Sequence, residues 1–153
     1  MKQIILFALT VVFFGCGGSP SDSTTSEKAK PAAKKEVSDK GIGETKHVEL
    51  NNPLNPEMVT RGEAIYQMKC AACHKLTDKR VVGPGWAGVT TKRKPEWIMN
   101  MTTNVEVMLS EDPAARELLK ECLVRMPNQN MSTEDARDVL EFMYDNDAKV
   151  GGE

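Results

Sequence analysis

Along the chain, hydrophobic and polar positions fall into three regimes. Ile4 to Phe14 is an unbroken apolar run, and residues 17–49 contain almost no large apolar side chain. From about residue 55 apolar positions recur at the helical period. Val59, Gly62, Tyr66 and Lys69/Cys70 share one face of a first helix. Asn55-Pro56 opens it with proline in the first turn, and Thr60-Arg61-Gly62-Glu63 offers a second start signal. Trp97, Ile98, Met101 and Val105 define a helix from Pro95 through about Met108. Ser110 or Asp112, with Pro113, starts another through about Leu123, with Ala115, Leu118, Leu119 and Cys122 facing inward. A Pro/Asn-rich loop, Val124 to Asn130, precedes a final helix that begins at Ser132, with Asp135 as a capping-box-like partner. The pattern predicts an all-α domain.

The first regime reads as an address. Met1-Lys2-Gln3, the apolar run and the small residues around Gly15-Cys16-Gly17 have the three parts of a secretory signal over residues 1–15. The run is too short to span a bilayer as a helix. The Gly15-Cys16 step resembles a bacterial lipobox, although Phe13 and Phe14 are bulkier than its usual residues. That resemblance implies lipidation at Cys16 and a periplasmic, membrane-anchored protein. Residues 16–50 are rich in Ser, Thr, Lys, Glu and Pro and are expected to stay disordered, because they cannot bury enough surface to offset chain entropy. A flexible tether of roughly 35 residues spans on the order of 30 Å. Residues 51–148 then form the folded domain, and 149–153 a flexible tail.

Composition narrows the function classes. The 153 residues are 40% hydrophobic and 27% charged, with a formal net charge of −2. One core fits in that length. A near-neutral balance is unsuited to nucleic acid, which demands a clear basic excess. Charge is unevenly placed. Residues 75–94 carry a net +5, from Lys75, Lys79, Arg80, Lys92, Arg93 and Lys94 against Asp78, and residues from Pro95 onward carry −8. The basic stretch follows the motif described next and is a candidate for steering an acidic partner.

Cys70-Ala71-Ala72-Cys73-His74 is the sharpest motif in the chain. Cys-x-x-Cys-His is the attachment signature of c-type haem. Two residues between the thiols let Cys70 and Cys73 bind one porphyrin as thioethers, while His74 projects its imidazole at the iron. A zinc ribbon would need further ligand pairs, yet only Cys122 and His47 remain besides Cys16. A thioredoxin-like pair would need a strand leading into the motif, where a helix is predicted. His47 lies upstream in the tether and no histidine follows His74, so bis-histidine ligation would require that tether to fold back. Cys122 reads as a small buried hydrophobe.

With this motif, the stretch from about Asn55 to Asp145 resembles the class I cytochromes c. The resemblance implies an all-α fold with N- and C-terminal helices crossing around one covalently bound haem c. In that family a Met-Pro loop before the C-terminal helix supplies the distal sulfur; Met126-Pro127 matches it, with Met131 as the rival. Gly62 and Tyr66 match the glycine and aromatic at the family's helix crossing, facing Val139 and Phe142. Gly83-Pro84 matches the loop whose carbonyl accepts the proximal imidazole's other N–H. Trp86 stands where the family usually has an aliphatic residue.

A haem iron held by His74 and Met126 has no open position. That implies a one-electron carrier rather than an enzyme, with no small-molecule substrate. Expected partners are redox proteins, a quinol-oxidising complex as donor and a terminal oxidase or exported reductase as acceptor. A haem enzyme or gas sensor with a labile sixth ligand, or a permanently docked electron-entry subunit, are the alternatives.

Overall fold

A computed structural model describes residues 38–122 and 124–151. The expected signal segment, the lipidation site Cys16, most of the tether and the last two residues lie outside the described residues. Among the described residues six helices follow in order: α1 (Pro56–Lys69), α2 (Val89–Lys92), α3 (Pro95–Thr103), α4 (Val105–Glu111), α5 (Pro113–Glu121) and α6 (Thr133–Val150). Among the described residues no strand forms, apart from an isolated antiparallel bridge between His74 and Arg80.

Local signals place the helix ends. Asn55 caps α1, its side chain accepting from the Glu57 and Met58 amides, while the Thr60 hydroxyl donates to Pro56 O instead of starting a helix. Asp112 rather than Ser110 caps α5; its Oδ1 accepts from Ala115 N at 2.8 Å and from the Trp97 indole at 3.1 Å. Ser132 Oγ accepts from Asp135 N at 3.0 Å and opens α6, which continues to Val150, into the stretch assigned to the tail. The helix expected from Pro95 to Met108 is divided at Asn104, whose φ of −137° and ψ of 46° break it. The Thr102 and Thr103 hydroxyls donate back to Ile98 O and Met99 O, the competition for backbone carbonyls that bends and ends helices.

The core forms where α1 crosses α6. A side chain on Gly62 would collide with the Asp138 carbonyl, so glycine is required for this close approach. One turn on, Tyr66 stacks at 5.5 Å from Phe142 and 4.8 Å from Trp86. Val139, Leu140, Met143, Ile65 and the α3–α4 residues Trp97, Met99, Val105 and Met108 belong to the same buried cluster.

Residues 38–50 differ from expectation. They do not form part of a free tether but a strap laid on α3, α4 and α6. Asn100, 1% exposed, donates to Lys40 O and Thr45 O, each at 3.0 Å, and accepts from Thr45 N at 3.1 Å. Gly41, at φ 73°, tucks against Met108 and Trp97, and Gly43 leaves room for the Asn100 side chain. Lys40 Nζ pairs with the buried Glu96 at 2.9 Å. At the strap's far end the fully buried Glu141 accepts from Asn55 N at 2.7 Å and Asn51 Nδ2 at 3.1 Å and pairs with Arg137 at 2.6 Å. The strap is held by polar groups and glycine fit, with Ile42 and Val48 packed against the core, and composition registers little of this. Asn100→Ala leaves two carbonyls and one amide of the strap without partners. We expect it to cost about 2 kcal/mol in denaturant unfolding and to abolish hydrogen-exchange protection at Thr45 N; unchanged protection would show that Asn100 does not hold the strap.

Candidate haem-binding site

The Cys-x-x-Cys-His motif is the continuation of α1. Cys70 N and Ala71 N both donate to Tyr66 O at 2.9 Å, and His74 N donates to Cys70 O at 2.9 Å, so the chain coils through the motif. Cys70 is buried, Cys73 is half-buried, and both thiols are free. Burial pushes the Cys70 thiol up to about 11, against a small opposing pull from the Lys69 charge. Such a thiol is not the activated nucleophile of a redox pair. Among the described residues no three His, Cys, Asp or Glu side chains gather as a metal cluster, so nothing assembles a zinc site around the motif.

The loop after the motif folds back and orients His74. Gly83 N donates to Cys73 O at 2.9 Å and Trp86 N to Lys75 O at 2.8 Å. Pro84 O thereby lies 2.8 Å from His74 Nδ1. A carbonyl only accepts, so Nδ1 carries the proton and Nε2 keeps its lone pair. Burial lowers the imidazole's proton affinity, partly offset by the Pro84 bond, and the ring stays neutral near pH 7. A side chain at Gly83 would strike the ring. Trp86, buried, lies 5.8 Å from the imidazole, ring centre to ring centre.

Sequence reasoning missed the side chains that hold this loop from a distance. The Tyr66 hydroxyl donates to His74 O at 2.7 Å, and Asn146 of α6 donates to Leu76 O at 3.0 Å. The Asp147 carboxylate accepts from Gly88 N at 2.8 Å, Thr90 N at 2.9 Å and Thr90 Oγ1 at 2.6 Å. Tyr66 and Asn146 lie at helical spacing beside apolar positions, and only their polar tips distinguish them from core filler.

The remaining candidates separate clearly. His47 is exposed on the strap, with its ring 3.8 Å from Glu49. Met131 is buried in the core just before the α6 cap. Met126 is half-buried, packed against the edge of the core in the loop between α5 and α6. Cys122 ends α5 half-buried, its sulfur accepting from Arg80 Nη1 at 3.1 Å.

Two free thiols and a neutral imidazole with a free ring nitrogen are donors that covalent haem attachment uses, and the helical frame is that of a class I cytochrome c fold. A cytochrome c family profile matches residues 59–146. A cytochrome c from Rhodothermus marinus is 32% identical, with a TM-score of 0.68 over 70% of this chain and 91% of that one. An engineered form of the Rhodothermus marinus protein is 31% identical, with a TM-score of 0.66 over 69% of this chain and 91% of that one. The same engineered protein bound to a carbene intermediate is 31% identical, with a TM-score of 0.63 over the same 69% and 91%. Comparison with curated proteins returns no match. The chain belongs to the cytochrome c family, and its cofactor is covalently bound haem c.

Tyr66→Phe keeps the aromatic packing and removes one donor to His74 O. We expect a loss of about 1 kcal/mol in the stability of the holoprotein, read from the denaturant midpoint; no loss would mean that this bond does not secure the motif.

Proposed function

We propose that this protein is a one-electron carrier tethered by lipid at Cys16 to the periplasmic face of a membrane. Cys70 and Cys73 would hold the haem as thioethers, with His74 and Met126 as axial ligands and the Pro84 carbonyl orienting the imidazole. The observation that carries the reading is the His74–Pro84 bond, which leaves a neutral, oriented nitrogen beside two unpaired thiols. The haem supplies a reversible one-electron change at iron, and a thioether ligand favours the reduced metal. The chain's part is to hold the imidazole fixed and to pack apolar side chains around the site, which limits rearrangement when the charge changes. The cytochrome c domain is typically an electron carrier, and nothing indicates catalytic activity in this chain; the carbene belongs to an engineered relative.

Donor and acceptor would be other redox proteins, a quinol-oxidising complex on one side and a terminal oxidase or exported reductase on the other. The basic stretch at residues 75–94 divides in three dimensions. Arg80 pairs with Glu121 at 3.0 Å. Lys92, Arg93 and Lys94 line a groove of about 510 Å³ with Ser38, Asp39 and Tyr144, which includes no residue of the haem motif. Lys75 and Lys79 remain exposed beside the motif, next to Val81 and Val82, which are 55% and 41% exposed. A lysine rim around exposed valines suits an acidic partner with an apolar centre.

Redox titration of the holoprotein should give one reversible one-electron wave; turnover of a substrate instead would contradict the carrier reading. Lys75→Gln with Lys79→Gln should slow reduction by an acidic donor about threefold or more at low salt, and less at high salt. Lys92→Gln with Lys94→Gln should have the smaller effect, and the reverse order would move the docking face to the groove.

A further inference from the structure

Among its described residues, the loop between α5 and α6 has little packing to hold it. Among its described residues Met131 is buried and Met126 packs at the edge of the core, while Val124, Arg125, Pro127, Asn128 and Asn130 are exposed. Its internal bonds close only a local turn: Asn130 N donates to Asn128 Oδ1 at 2.8 Å and Gln129 Nε2 to Pro127 O at 3.3 Å.

Three cationic side chains tie this loop to the rest of the domain. At its start, Arg80 Nη1 donates to Glu121 O at 3.3 Å and to Cys122 Sγ at 3.1 Å, and Nη2 meets Glu121 Oε2 at 3.0 Å. In the middle, Arg125 Nη2 meets Glu106 Oε2 of α4 at 3.1 Å. Near its end, Lys69 Nζ donates to Gln129 O at 3.0 Å. Lys69 is the last residue of α1 and immediately precedes Cys70. The ties thus run from the end of α1, the loop after the motif and α4 to both flanks of Met126.

We propose that Lys69, Arg80 and Arg125 are positioning residues that form an ionic clasp on this loop and set how readily Met126 leaves the iron. The proposal rests on the reading of Met126 as axial ligand. Moving the sulfur out of reach displaces the loop, and displacing the loop breaks the ties. Each tie is solvent-exposed and weak by itself. Salt screens the Arg80–Glu121 and Arg125–Glu106 ion pairs together, so access to the sixth coordination position is governed by ionic strength.

The test uses full-chain ferric holoprotein and imidazole as the external ligand, at alkaline pH where imidazole is neutral, following its binding by stopped-flow absorbance. The clasp predicts a binding rate that rises with salt. At low salt, Lys69→Ala and Arg125→Ala should each raise the rate about threefold and together about tenfold, with the salt dependence flattened. Lys69→Arg and Arg125→Lys should restore most of the wild-type rate. Lys149→Ala, which breaks an ion pair with Asp145 elsewhere on α6, should leave the rate unchanged. The weak sulfur-to-iron absorption band should persist in every clasp variant. Wild-type rates in the double variant, or a rate indifferent to salt, would overturn the clasp. Met126→Ala separates the two readings. Loss of the band upholds Met126 as the ligand, whatever the clasp variants do; survival of the band removes the ligand and the clasp with it.

Discussion

At Gly62 the backbone of α1 comes so close to that of α6 that no side chain can stand between them. The next two turns of α1 inherit their position from that contact. Tyr66 reaches Phe142 and Trp86 with its ring and the carbonyl of His74 with its hydroxyl. Cys70 follows as the end of the helix. The crossing and the aromatic wedge are therefore successive turns of α1, the haem attachment motif continues from its end, and the geometry of the last depends on the first. Asn146 and Asp147 of α6 extend the dependence by holding the loop that orients His74 and the start of α2.

Electrostatically, the site is quiet. His74 is neutral through burial, its single N–H satisfied by Pro84, and the other proposed ligand is an uncharged thioether. A centre with neutral axial donors changes its charge by one without a titrating side chain having to follow. Arg80, Arg125 and Lys69 lie on the periphery, where they tie loops, and Lys75 and Lys79 stay in solvent.

Signals that act within a few residues were legible in the sequence. Asn55, Asp112 and Ser132 cap helices because the cap needs only a side-chain oxygen and an amide two or three residues on. The Cys-x-x-Cys-His spacing was legible for the same reason, being one helical turn of covalent geometry. The helix crossing and the Gly83-Pro84 loop were legible only through resemblance to the class I cytochromes c. The strap at residues 38–50 was not, because its polar partners, Asn100, Glu96 and Arg137, lie far along the chain and bind its backbone or charge, while its packed apolar residues, Ile42 and Val48, are too sparse to form a pattern. The break at Asn104 escaped periodicity, since the apolar stripe of Trp97, Ile98, Met101 and Val105 runs through it unbroken. The division of the basic stretch also depends on tertiary placement: Arg80 pairs with Glu121 while its neighbour in sequence, Lys79, is exposed.

Attachment of one haem through both Cys70 and Cys73 underlies the proposed role. Its most direct test is the alkaline pyridine spectrum of the exported, full-chain protein made in a host competent for cytochrome maturation. Two thioethers saturate both vinyl groups and shift the reduced band to the position of haem c, with the colour surviving acid–organic extraction. A colourless protein, or haem that extracts freely with its vinyl groups intact, would contradict the account.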